Sequence, residues 1–353
     1  MLYNIKKGNK MKRAVTINDI AEQLNLSRNT VAKVLNGHYV PEKTRELVLK
    51  KAQELNYKSL NSGNVAASRK KYRILLISGK PLININYFIP IIKGIENFCY
   101  ENDYELFQYT HNSAKYPFKE VEDYVNELNV DGIVAIEYFD KASIVKLLNL
   151  GKPVCFNDFS ASDVVTDKKY DVISANDEQA VSRLVKALHA KHKITRFSFV
   201  GDSKHCLSFH ERYLGMRKGI LSFNGDHTNR DDVLCNDLSF DYGNPAALKT
   251  EILKLKYRPQ CFVCCNDFVA RAVCNALKSL GVAIPQDALV TGFDNVAEAV
   301  ALTPAITSFS IQKEFLGREA MRTLVHRIEN PEIPTRTVTV ATNLIQREST
   351  DRM

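Results

Sequence analysis

Apolar residues recur at helical spacing near the start of the chain and predict a module of three short helices over residues 16–57. The positions that would share the buried face of the first helix are Ile17, Ile20, Ala21 and Leu24. Thr16, with Asp19 three residues later, is a variant of the capping box that begins a helix. Ser27 can cap a second helix that runs to Asn36. Because the turn between the two helices is short, they must cross closely.

The second predicted helix has two chemically different sides. Val31, Val34 and Leu35 fall on its buried side. The opposite side carries four residues together: Arg28, Asn29, Ala32 and Lys33. Arg and Asn side chains carry donors and acceptors that match base edges, and the N-terminal part of a recognition helix enters the major groove. We therefore predict that this helix reads DNA, and the alternative is a small solvated helix pair.

Positive charge is concentrated in the same part of the chain. Residues 1–73 hold 16 Lys and Arg against five Asp and Glu, whereas the remaining 280 residues hold 32 against 35. The whole chain has a net charge of +8, so all of the excess lies in its first fifth. This asymmetry indicates that one segment contacts phosphates and that the rest of the chain has another task.

From Arg73 onward, short apolar runs alternate with longer amphipathic ones. The predicted strands are residues 73–77, 104–109, 132–136, 153–156, 196–200, 261–265, 288–293 and 306–310. The predicted helices include residues 88–101, 177–190, 207–221 and 268–280. This alternation predicts parallel sheets covered by helices. Because the strands are too many for one sheet and the pattern restarts near Val172, we expect two similar lobes with a cleft between them.

Polar side chains follow the predicted strands at their carboxyl ends, where ligands bind to open parallel sheets. They are Ser78, Asn157, Asp158, Asp202, Asn266, Asp267, Asp294 and Asn295. The aromatic residues that accompany them are Tyr87, Phe88, Phe159 and Phe293. Each polar residue taken alone is better explained as the N-cap of the next helix. Their convergence on one cleft predicts a site for a polyhydroxylated small molecule.

The sequence carries no motif typical of catalysis. We find no nucleophile elbow, no glycine-rich phosphate loop and no metal-binding cluster, so we expect no enzyme activity, no cofactor and no metal. Cys261, Cys264 and Cys265 have the spacing of a redox or zinc site, but they lie in one apolar run, where strand residues three apart face opposite ways. No long apolar run and no signal-peptide pattern is present. We therefore expect a cytoplasmic protein without a membrane segment.

Several longer motifs together resemble the lactose-repressor and galactose-repressor family of bacterial transcription factors. In the N-terminal module they are TINDIAEQL, SRNTVAKVLNG and the AQELNY ending. Further along the chain they are ERYLGM, NDFVARAV, GFDN, ITSFSIQKEFLGREAM and LIQREST. The resemblance covers nearly the whole chain. It implies an α/β protein with an N-terminal all-α helix-turn-helix head and a two-lobed, periplasmic-binding-protein-like core of parallel sheets.

The expected domain boundaries follow from the pattern and from this resemblance. The DNA-binding head would span residues 1–58, with its folded part at 14–57, and a basic linker would span 59–72. The effector-binding core would span 73–353. Lobe 1 is expected at about 73–172 and 306–330, and lobe 2 at about 173–305 and 331–353.

The resemblance implies a sequence-specific DNA-binding regulator, with repression as the first expectation. It would act as a homodimer on a near-palindromic operator, under the control of a small molecule, a sugar in the first instance, in the cleft. By position, the residues that would read bases are Arg28, Asn29 and Lys33, and those near the DNA backbone are Thr16, Ser27, Thr30 and Asn36. The residues that would bind the effector are Tyr87, Phe88, Asp158, Arg212, Asn266 and Asp294. The alternative for Arg212 is an ion pair with Glu211 on a helix surface.

The linker departs from the family's pattern. Family members have a hinge helix there that inserts a leucine into the minor groove, whereas this chain has Ser59 and Gly63 and no leucine at the inserting position. A basic linker that contacts phosphates through Arg69, Lys70 and Lys71 is favoured instead. Three other functions stay open at this point: a regulator controlled by a protein partner, one controlled by a nucleoside or purine, and a solute sensor that does not bind DNA.

Overall fold

The chain divides into two compact units, Met1–Lys71 and Tyr72–Met353, which we call the head and the core. The computed structural model describes residues 15–35, 40–55, 57, 71–79, 85–113, 115–162, 164, 166–224, 233–234 and 244–352. Of the predicted linker, only Lys71 and Tyr72 are among them; Ser59, Gly63, Arg69 and Lys70 lie outside the described residues. None of the described helices is long and apolar enough to span a bilayer.

Three helices form the head: α1 (Ile17–Leu24), α2 (Arg28–Leu35) and α3 (Glu42–Glu54). The capping box predicted at the start of α1 is present, because Thr16 Oγ1 accepts from the backbone N–H of Asp19 while the Asp19 carboxylate accepts from the Thr16 N–H. The residues that form the small core of the head are Ile20, Ala21, Val31, Val34, Val40, Val48 and Ala52. The first two predicted helices and their buried sides are confirmed.

Two parallel sheets form the core. The strands of the first sheet are β1 (Arg73–Ser78), β2 (Glu105–Thr110), β3 (Gly132–Ile136), β4 (Val154–Asn157), β5 (Asp171–Ala175) and β11 (Arg336–Val340). Those of the second are β6 (Phe197–Val200), β7 (Val233–Leu234), β8 (Cys261–Cys264) and β9 (Leu289–Thr291). The strand orders are β11-β5-β4-β3-β1-β2 and β7-β6-β8-β9. A short antiparallel pair joins β10 (Ser308–Ser310) to β12 (Asn343–Ile345).

Helices alternate with these strands along the chain. They are α4 (Ile85–Asn102), α5 (Lys119–Glu127), α6 (Lys141–Asn149), α7 (Asp177–His192), α8 (Leu207–Asn224), α9 (Pro245–Lys254), α10 (Asp267–Ser279), α11 (Ala297–Val300) and α12 (Lys313–Glu329). Every residue of β3, β4 and β8 is buried, as expected for strands of a parallel sheet covered on both faces. The predicted α/β class with parallel sheets is confirmed.

The structure corrects the expected lobe boundaries. β5 pairs with β4 and β11 in the first sheet, so a boundary between residues 172 and 173 cuts through this strand. β11 lies in the first sheet too, although 331–353 was expected in lobe 2. Residues 306–310, expected in lobe 1, are joined by bridges at Thr307 and Ser310 to the segment that begins with β9. These pairings connect segments far apart in the sequence, which a local pattern does not reveal.

A buried ionic cluster stabilises the edge of the first sheet that β11 forms. Asp171, in β5, accepts hydrogen bonds from Arg327 of α12 at 2.7 Å on both carboxylate oxygens. Arg336, the first residue of β11, adds bonds of 3.1 and 3.2 Å to the same oxygens. Burial raises the pKa of Asp171, but the two guanidinium groups outweigh burial and lower it, so the carboxylate stays charged. Because Arg327 also donates to the carbonyl oxygens of Ile333 and Pro334, the cluster ties α12 and the following turn to the sheet.

Glycine residues allow α4 and α12 to cross closely. A β-carbon at Gly317 would overlap the carbonyl oxygen of Ile91, and one at Gly94 would overlap that of Glu314. We expect Gly317→Ala to lower the free energy of unfolding by about 1–3 kcal/mol, because the two helices would have to separate. Urea-induced unfolding measures this change. Arg322→Ala, at an exposed position of α12, is the control, and an equal loss in both variants would contradict the close-crossing explanation.

Candidate nucleic-acid interface and ligand cavity

Helix α2 presents its predicted polar residues to solvent. Arg28, Asn29 and Lys33 are exposed, whereas Val31 and Val34 are buried in the core of the head. The division between the two sides follows the helical period, since the buried residues are three apart. The three side chains predicted to read bases are therefore free of tertiary packing and available to a ligand on one exposed helix.

The hydroxyl groups predicted to lie near the DNA backbone act as helix caps in the head. Ser27 Oγ accepts from the Thr30 N–H at 3.0 Å and lies 2.8 Å from Thr30 Oγ1. Thr16 Oγ1 donates to Asp19 Oδ2 at 2.8 Å. These bonds fix the first turns of α1 and α2, which is where backbone N–H groups can meet phosphate oxygens. Asn36, the remaining residue of this predicted set, lies outside the described residues.

The core contains a cavity of about 510 Å³, lined by residues that follow strands of both parallel sheets. All six residues predicted for the effector line it: Tyr87, Phe88, Asp158, Arg212, Asn266 and Asp294. Eight further lining residues were not predicted: Glu137, His205, Cys206, Ser208, Phe209, Phe268, Arg271 and Glu298. The carboxyl ends of strands thus converge on one cavity, as the topology of open parallel sheets requires.

Arg212 is buried and held by protein groups. Its Nε donates to Asp177 Oδ1 at 2.7 Å and its Nη1 donates to the Cys265 carbonyl oxygen at 2.5 Å. Its Nη2 lies 3.6 Å from Asp294 Oδ1. Burial lowers the pKa of Arg212, but Asp177 and Asp294 outweigh burial and raise it. The guanidinium also lies over the ring of Phe293, 3.7 Å from its centroid.

The alternative of a surface ion pair between Arg212 and Glu211 is wrong. Arg212 is only 3% exposed, and its ion-pair partners are Asp177 and Asp294. Because two of its nitrogens already donate to protein acceptors, Arg212 is better suited to position Asp294 than to act as a free donor fork for a ligand.

Three carboxylate residues near strand ends have left-handed backbone conformations. Glu137 directly follows β3 and Asp158 directly follows β4, with φ of 54° and 63°, and Asp294 comes three residues after β9 with φ of 94°. Residues other than glycine rarely adopt such angles, and strain of this kind concentrates at functional sites. Glu137 was not predicted from the sequence as a cavity residue, although its position directly after the predicted strand 132–136 indicates one.

Asp158 connects the two sides of the cavity. Its Oδ1 accepts from the Phe159 and Ser208 N–H groups at 2.8 and 3.1 Å, and its Oδ2 accepts from Ser208 Oγ at 2.6 Å. The Leu207 N–H also donates to the Phe159 carbonyl oxygen at 2.8 Å. The loop after β4 of the first sheet is therefore tied to the first turn of α8, which follows β6 of the second sheet.

Asn266 serves as the N-cap of α10. Its Oδ1 accepts from the Val269 N–H at 3.0 Å, so the capping interpretation is correct at this position. The residue also lines the cavity. An N-cap role and a place in the cavity wall are compatible, because a helix that follows a parallel strand begins at the carboxyl edge of the sheet.

The cysteine run of β8 is part of the hydrophobic core. Cys261, Cys264 and Cys265 are free and buried, and burial raises the pKa of each thiol. Among the described residues, no group of three or more His, Cys, Asp or Glu side chains could hold a metal ion.

Burial raises the pKa of several acids beside the cavity. The pKa of Asp177 is raised to about 6 despite the opposing charge of Arg212. That of Asp267 is raised to about 7, mainly by burial and also by Asp294. Burial raises the pKa of Asp294 too, although Arg212 and Lys313 oppose it. These acids therefore make the stability of the core depend on pH.

Asp267 allows a direct test of that dependence. Its folded-state pKa of about 7 lies above the value of about 3.9 for a free aspartate. The folded chain keeps a proton that the unfolded chain releases between about pH 4 and pH 7, so this contribution to stability is complete below about pH 4 and is lost as pH rises through the folded pKa. Asp267→Asn removes the titration and keeps an acceptor for the Val296 N–H, which donates at 2.9 Å.

We expect Asp267→Asn to be more stable relative to the parent protein at pH 8 than at pH 5, by about 1–3 kcal/mol. Urea-induced unfolding at the two pH values measures the difference. Asp167→Asn, on a side chain that is 87% exposed, is the control and should leave the pH dependence unchanged. A relative stability of Asp267→Asn that is the same at both pH values would show that the carboxyl does not titrate in this range.

Two family models match the chain. Residues 16–59 match the model of the lacI family of bacterial regulatory proteins, and residues 185–350 match that of the periplasmic binding protein-like domain. The first match contains the helices of the head, and the second contains the lining residues from His205 to Glu298. The two units of the structure thus resemble two distinct kinds of domain.

Curated relatives align over almost the full chain. The chain is 28% identical to the NTD biosynthesis operon regulator NtdR of Bacillus subtilis, over 95% of this chain and 99% of that protein. It is 26% identical to the ribose operon repressor of Haemophilus influenzae, over 95% and 98%. It is 25% identical to the transcriptional repressor PurR of Mannheimia succiniciproducens, over 96% and 99%. These relatives are transcriptional regulators rather than enzymes.

Solved structures show the same fold. The complex of the transcriptional regulator CelR with cellobiose has a TM-score of 0.68 at 22% identity and covers 95% of this chain and 99% of that one. The transcription regulator CcpA of Lactococcus lactis has a TM-score of 0.68 at 20% identity and covers 80% and 100%. Because the matched head, the matched core and the full-length relatives agree, the chain combines a DNA-binding domain of the lacI family with a periplasmic binding protein-like domain and is a DNA-binding transcriptional regulator.

Proposed function

We propose that this protein is a cytoplasmic homodimeric repressor, located on the nucleoid when bound, whose affinity for a near-palindromic operator is controlled by a sugar in the core cavity. The observation that carries the proposal is the cavity itself, which gathers carboxylate, amide and aromatic side chains from the strand ends of two sheets. The exposed polar face of α2 supports the other half of the proposal.

On the DNA side, Arg28 and Asn29 read base edges in the major groove and Lys33 supports them. Paired hydrogen bonds from Arg to guanine and from Asn to adenine are the contacts that this geometry favours. The residues that contact the DNA backbone are Thr16, Ser27, Thr30 and Asn36. Two heads related by two-fold symmetry read the two halves of the operator, and the basic linker at 59–72 adds phosphate contacts.

In the cavity, the polar lining residues hydrogen-bond to the effector and the aromatic ones contact its apolar face. Asp294 and Asn266 hydrogen-bond to hydroxyl groups, and Asp158 binds at the junction of the two lobes. Tyr87 and Phe88, whose rings lie 4.9 Å apart, supply an apolar surface for the face of a sugar ring. The name of the Haemophilus relative refers to ribose, and the CelR structure holds cellobiose, which supports a sugar as the effector class here.

Control of DNA binding by the effector requires coupling between the cavity of the core and the DNA-binding surface of the head. A ligand changes operator affinity only if it binds the DNA-competent conformation and the other conformation with different affinity. The bonds of Asp158 to Ser208 join the loop after β4 to α8 at the cavity wall, so a ligand that strengthens or replaces them shifts the relation between the two lobes. We propose that this shift is the source of the coupling.

Two linked experiments test the proposal. Selection of duplexes from a random pool by the full-length protein should enrich a sequence with two-fold symmetry. A thermal-shift panel of sugars, sugar phosphates, nucleobases and nucleosides should then identify the effector, because a ligand at 100 times its Kd adds about 2.7 kcal/mol to stability. Stabilisation by nucleosides alone would replace the sugar by a purine-type effector. A protein that binds its operator and responds to no small molecule would favour control by a protein partner.

A further inference from the structure

The cavity carries more negative than positive charge. Its lining carboxylates are Glu137, Asp158, Asp294 and Glu298, and its lining cations are Arg212 and Arg271. His205 also lines the cavity. Just behind the lining, Asp177 binds Arg212, and Lys313 donates to the backbone carbonyl of Asp294. Counting these two groups as well, five carboxylates stand against three Arg and Lys side chains among the described residues.

Two of the three cations are already engaged with protein oxygens. Arg212 donates to Asp177 and to the Cys265 carbonyl oxygen, and Lys313 donates to the Asp294 carbonyl oxygen. The third, Arg271, is a half-buried lining residue whose guanidinium lies over the ring of Phe268, 5.2 Å from its centroid. Among the described residues, Arg271 is therefore the lining cation that remains for a phosphate or a carboxylate of a ligand, against four lining carboxylates.

Two of the lining carboxylates each have an oxygen that lacks a hydrogen-bond donor among the described residues. Asp294 Oδ1 and Glu298 Oε2 are buried and have no hydrogen-bond partner within the described structure. Asp294 is 5% exposed, and the nearest guanidinium nitrogen, Arg212 Nη2, is 3.6 Å away, which exceeds a normal hydrogen-bond distance. The other oxygen of Glu298 accepts from Asn86 Nδ2 at 2.6 Å. A buried acceptor without a donor is costly, so both oxygens favour a ligand that brings N–H donors.

Aromatic rings complete the lining. They are Tyr87, Phe88, Phe209 and Phe268. The face of an aromatic ring attracts a cation as well as the apolar face of a sugar. An environment of excess carboxylate and aromatic rings is the one in which proteins bind an organic ammonium group, and it repels an organic phosphate.

We propose that the effector is a sugar that carries an ammonium group, and that this group binds to Asp294 and Glu298. The inference rests on the proposed function, in which a sugar binds in this cavity, and it adds the charge class of that sugar. Neutral hydroxyl groups of the same ligand bind elsewhere in the wall, at Asn266. Phosphorylated and carboxylated sugars are disfavoured by the same carboxylates.

The test compares four forms of each sugar scaffold on the full-length protein: the neutral sugar, the amino sugar, its N-acetylated form and the sugar phosphate. With glucose, for example, the probes are glucose, glucosamine, N-acetylglucosamine and glucose 6-phosphate. The N-acetylated form keeps a nitrogen at the same position of the ring, but this nitrogen belongs to an amide and carries no charge. Calorimetric titration should give an affinity for the amino form of the cognate scaffold at least about tenfold above those of the other three, because a charge-assisted hydrogen bond replaces a neutral one.

Glu298→Gln isolates the charge contribution, because glutamine keeps an oxygen acceptor for Asn86. The preference for the amino form over the N-acetylated form should fall by about tenfold. Glu314→Gln is the matched control, since Glu314 is exposed and accepts from Asn97 at 3.1 Å away from the cavity lining. This variant should keep the full preference.

The outcomes separate the inference from the proposed function. Equal or tighter binding of the neutral or phosphorylated form would overturn the inference and leave a sugar-responsive regulator in place. Retention of the amino preference in Glu298→Gln and Asp294→Asn alike would overturn the assignment of the ammonium group to these carboxylates. Failure of every sugar form to bind, with operator binding intact, would overturn both the inference and the sugar effector.

Discussion

Replacing both Arg28 and Asn29 with alanine is expected to remove the preference of this regulator for its operator. Each well-formed bidentate contact to a base contributes about 1–3 kcal/mol of discrimination, so the double variant should lose about 30-fold or more in operator affinity. Both side chains are exposed on α2 and lie outside the buried core of the head, so the head should still fold. Fluorescence anisotropy with the selected duplex and with a scrambled duplex measures the change.

Non-specific binding provides the internal comparison for this variant. Binding to the scrambled duplex should keep most of its strength and its salt dependence, because phosphate contacts are made by other basic residues. Lys50→Ala combined with Gln53→Ala is the control, since it also removes one positive and one polar side chain from exposed positions of a head helix, α3. Equal losses on both duplexes in the Arg28 and Asn29 variant would argue against direct base reading.

Loss of Arg327 is expected to have the largest effect on stability. Arg327→Ala would leave the buried Asp171 carboxylate with only the partly exposed Arg336 as its partner. Removing one member of a buried ion pair typically costs about 3–5 kcal/mol, because the other charge stays buried. The variant should therefore unfold at a clearly lower urea concentration than the parent protein.

An exposed arginine of the same helix serves as control for this prediction. Arg322 lies on the solvent side of α12, where it pairs with Glu319 at 3.2 Å, so Arg322→Ala should cost no more than about 1 kcal/mol. A second variant, Arg327→Met with Asp171→Leu, replaces the pair by apolar side chains and should recover much of the loss. Similar losses for Arg327→Ala and Arg322→Ala would show that the Asp171 cluster does not stabilise the fold.

The head could be predicted from the sequence because its signals are local. Thr16 and Asp19 form a capping box within a single turn, and Ser27 caps α2 through Thr30. The buried positions Val31 and Val34 follow directly from the helical period. Such features depend on residues no more than four apart, so the rest of the fold does not alter them.

The core was predicted less completely because its edges depend on distant partners. β3 was placed correctly at 132–136, since all five of its residues are buried and apolar. β5 begins with a charged residue, Asp171, and β11 alternates polar and apolar residues at the edge of the sheet. The pairing of β5 with β11 joins residues 165 apart, as in the contact of Asp171 with Arg336, and no local pattern reports such a pairing.

The sequence predicted where the candidate cavity lies, but only some of its lining residues and none of their hydrogen-bond partners in other elements. The rule that ligands bind at strand ends, together with the family resemblance, identified Asp158, Asn266 and Asp294, and all three line the cavity. The sequence could not reveal that Asp158 accepts a hydrogen bond from Ser208 in the cavity wall or that Arg212 is engaged by Asp177. These partners come from other elements, so the charge balance of the cavity emerges only from the folded structure.

Occupation of the cavity should change operator affinity, and one titration measures this coupling. The affinity of the full-length protein for the selected duplex is measured by fluorescence anisotropy, without and with a saturating concentration of the sugar that gives the largest thermal shift. We expect operator affinity to change by about fivefold or more in the parent protein and much less in Asp294→Asn at the same sugar concentration. An operator affinity that is identical with and without a sugar that demonstrably fills the cavity would show that the cavity does not control DNA binding.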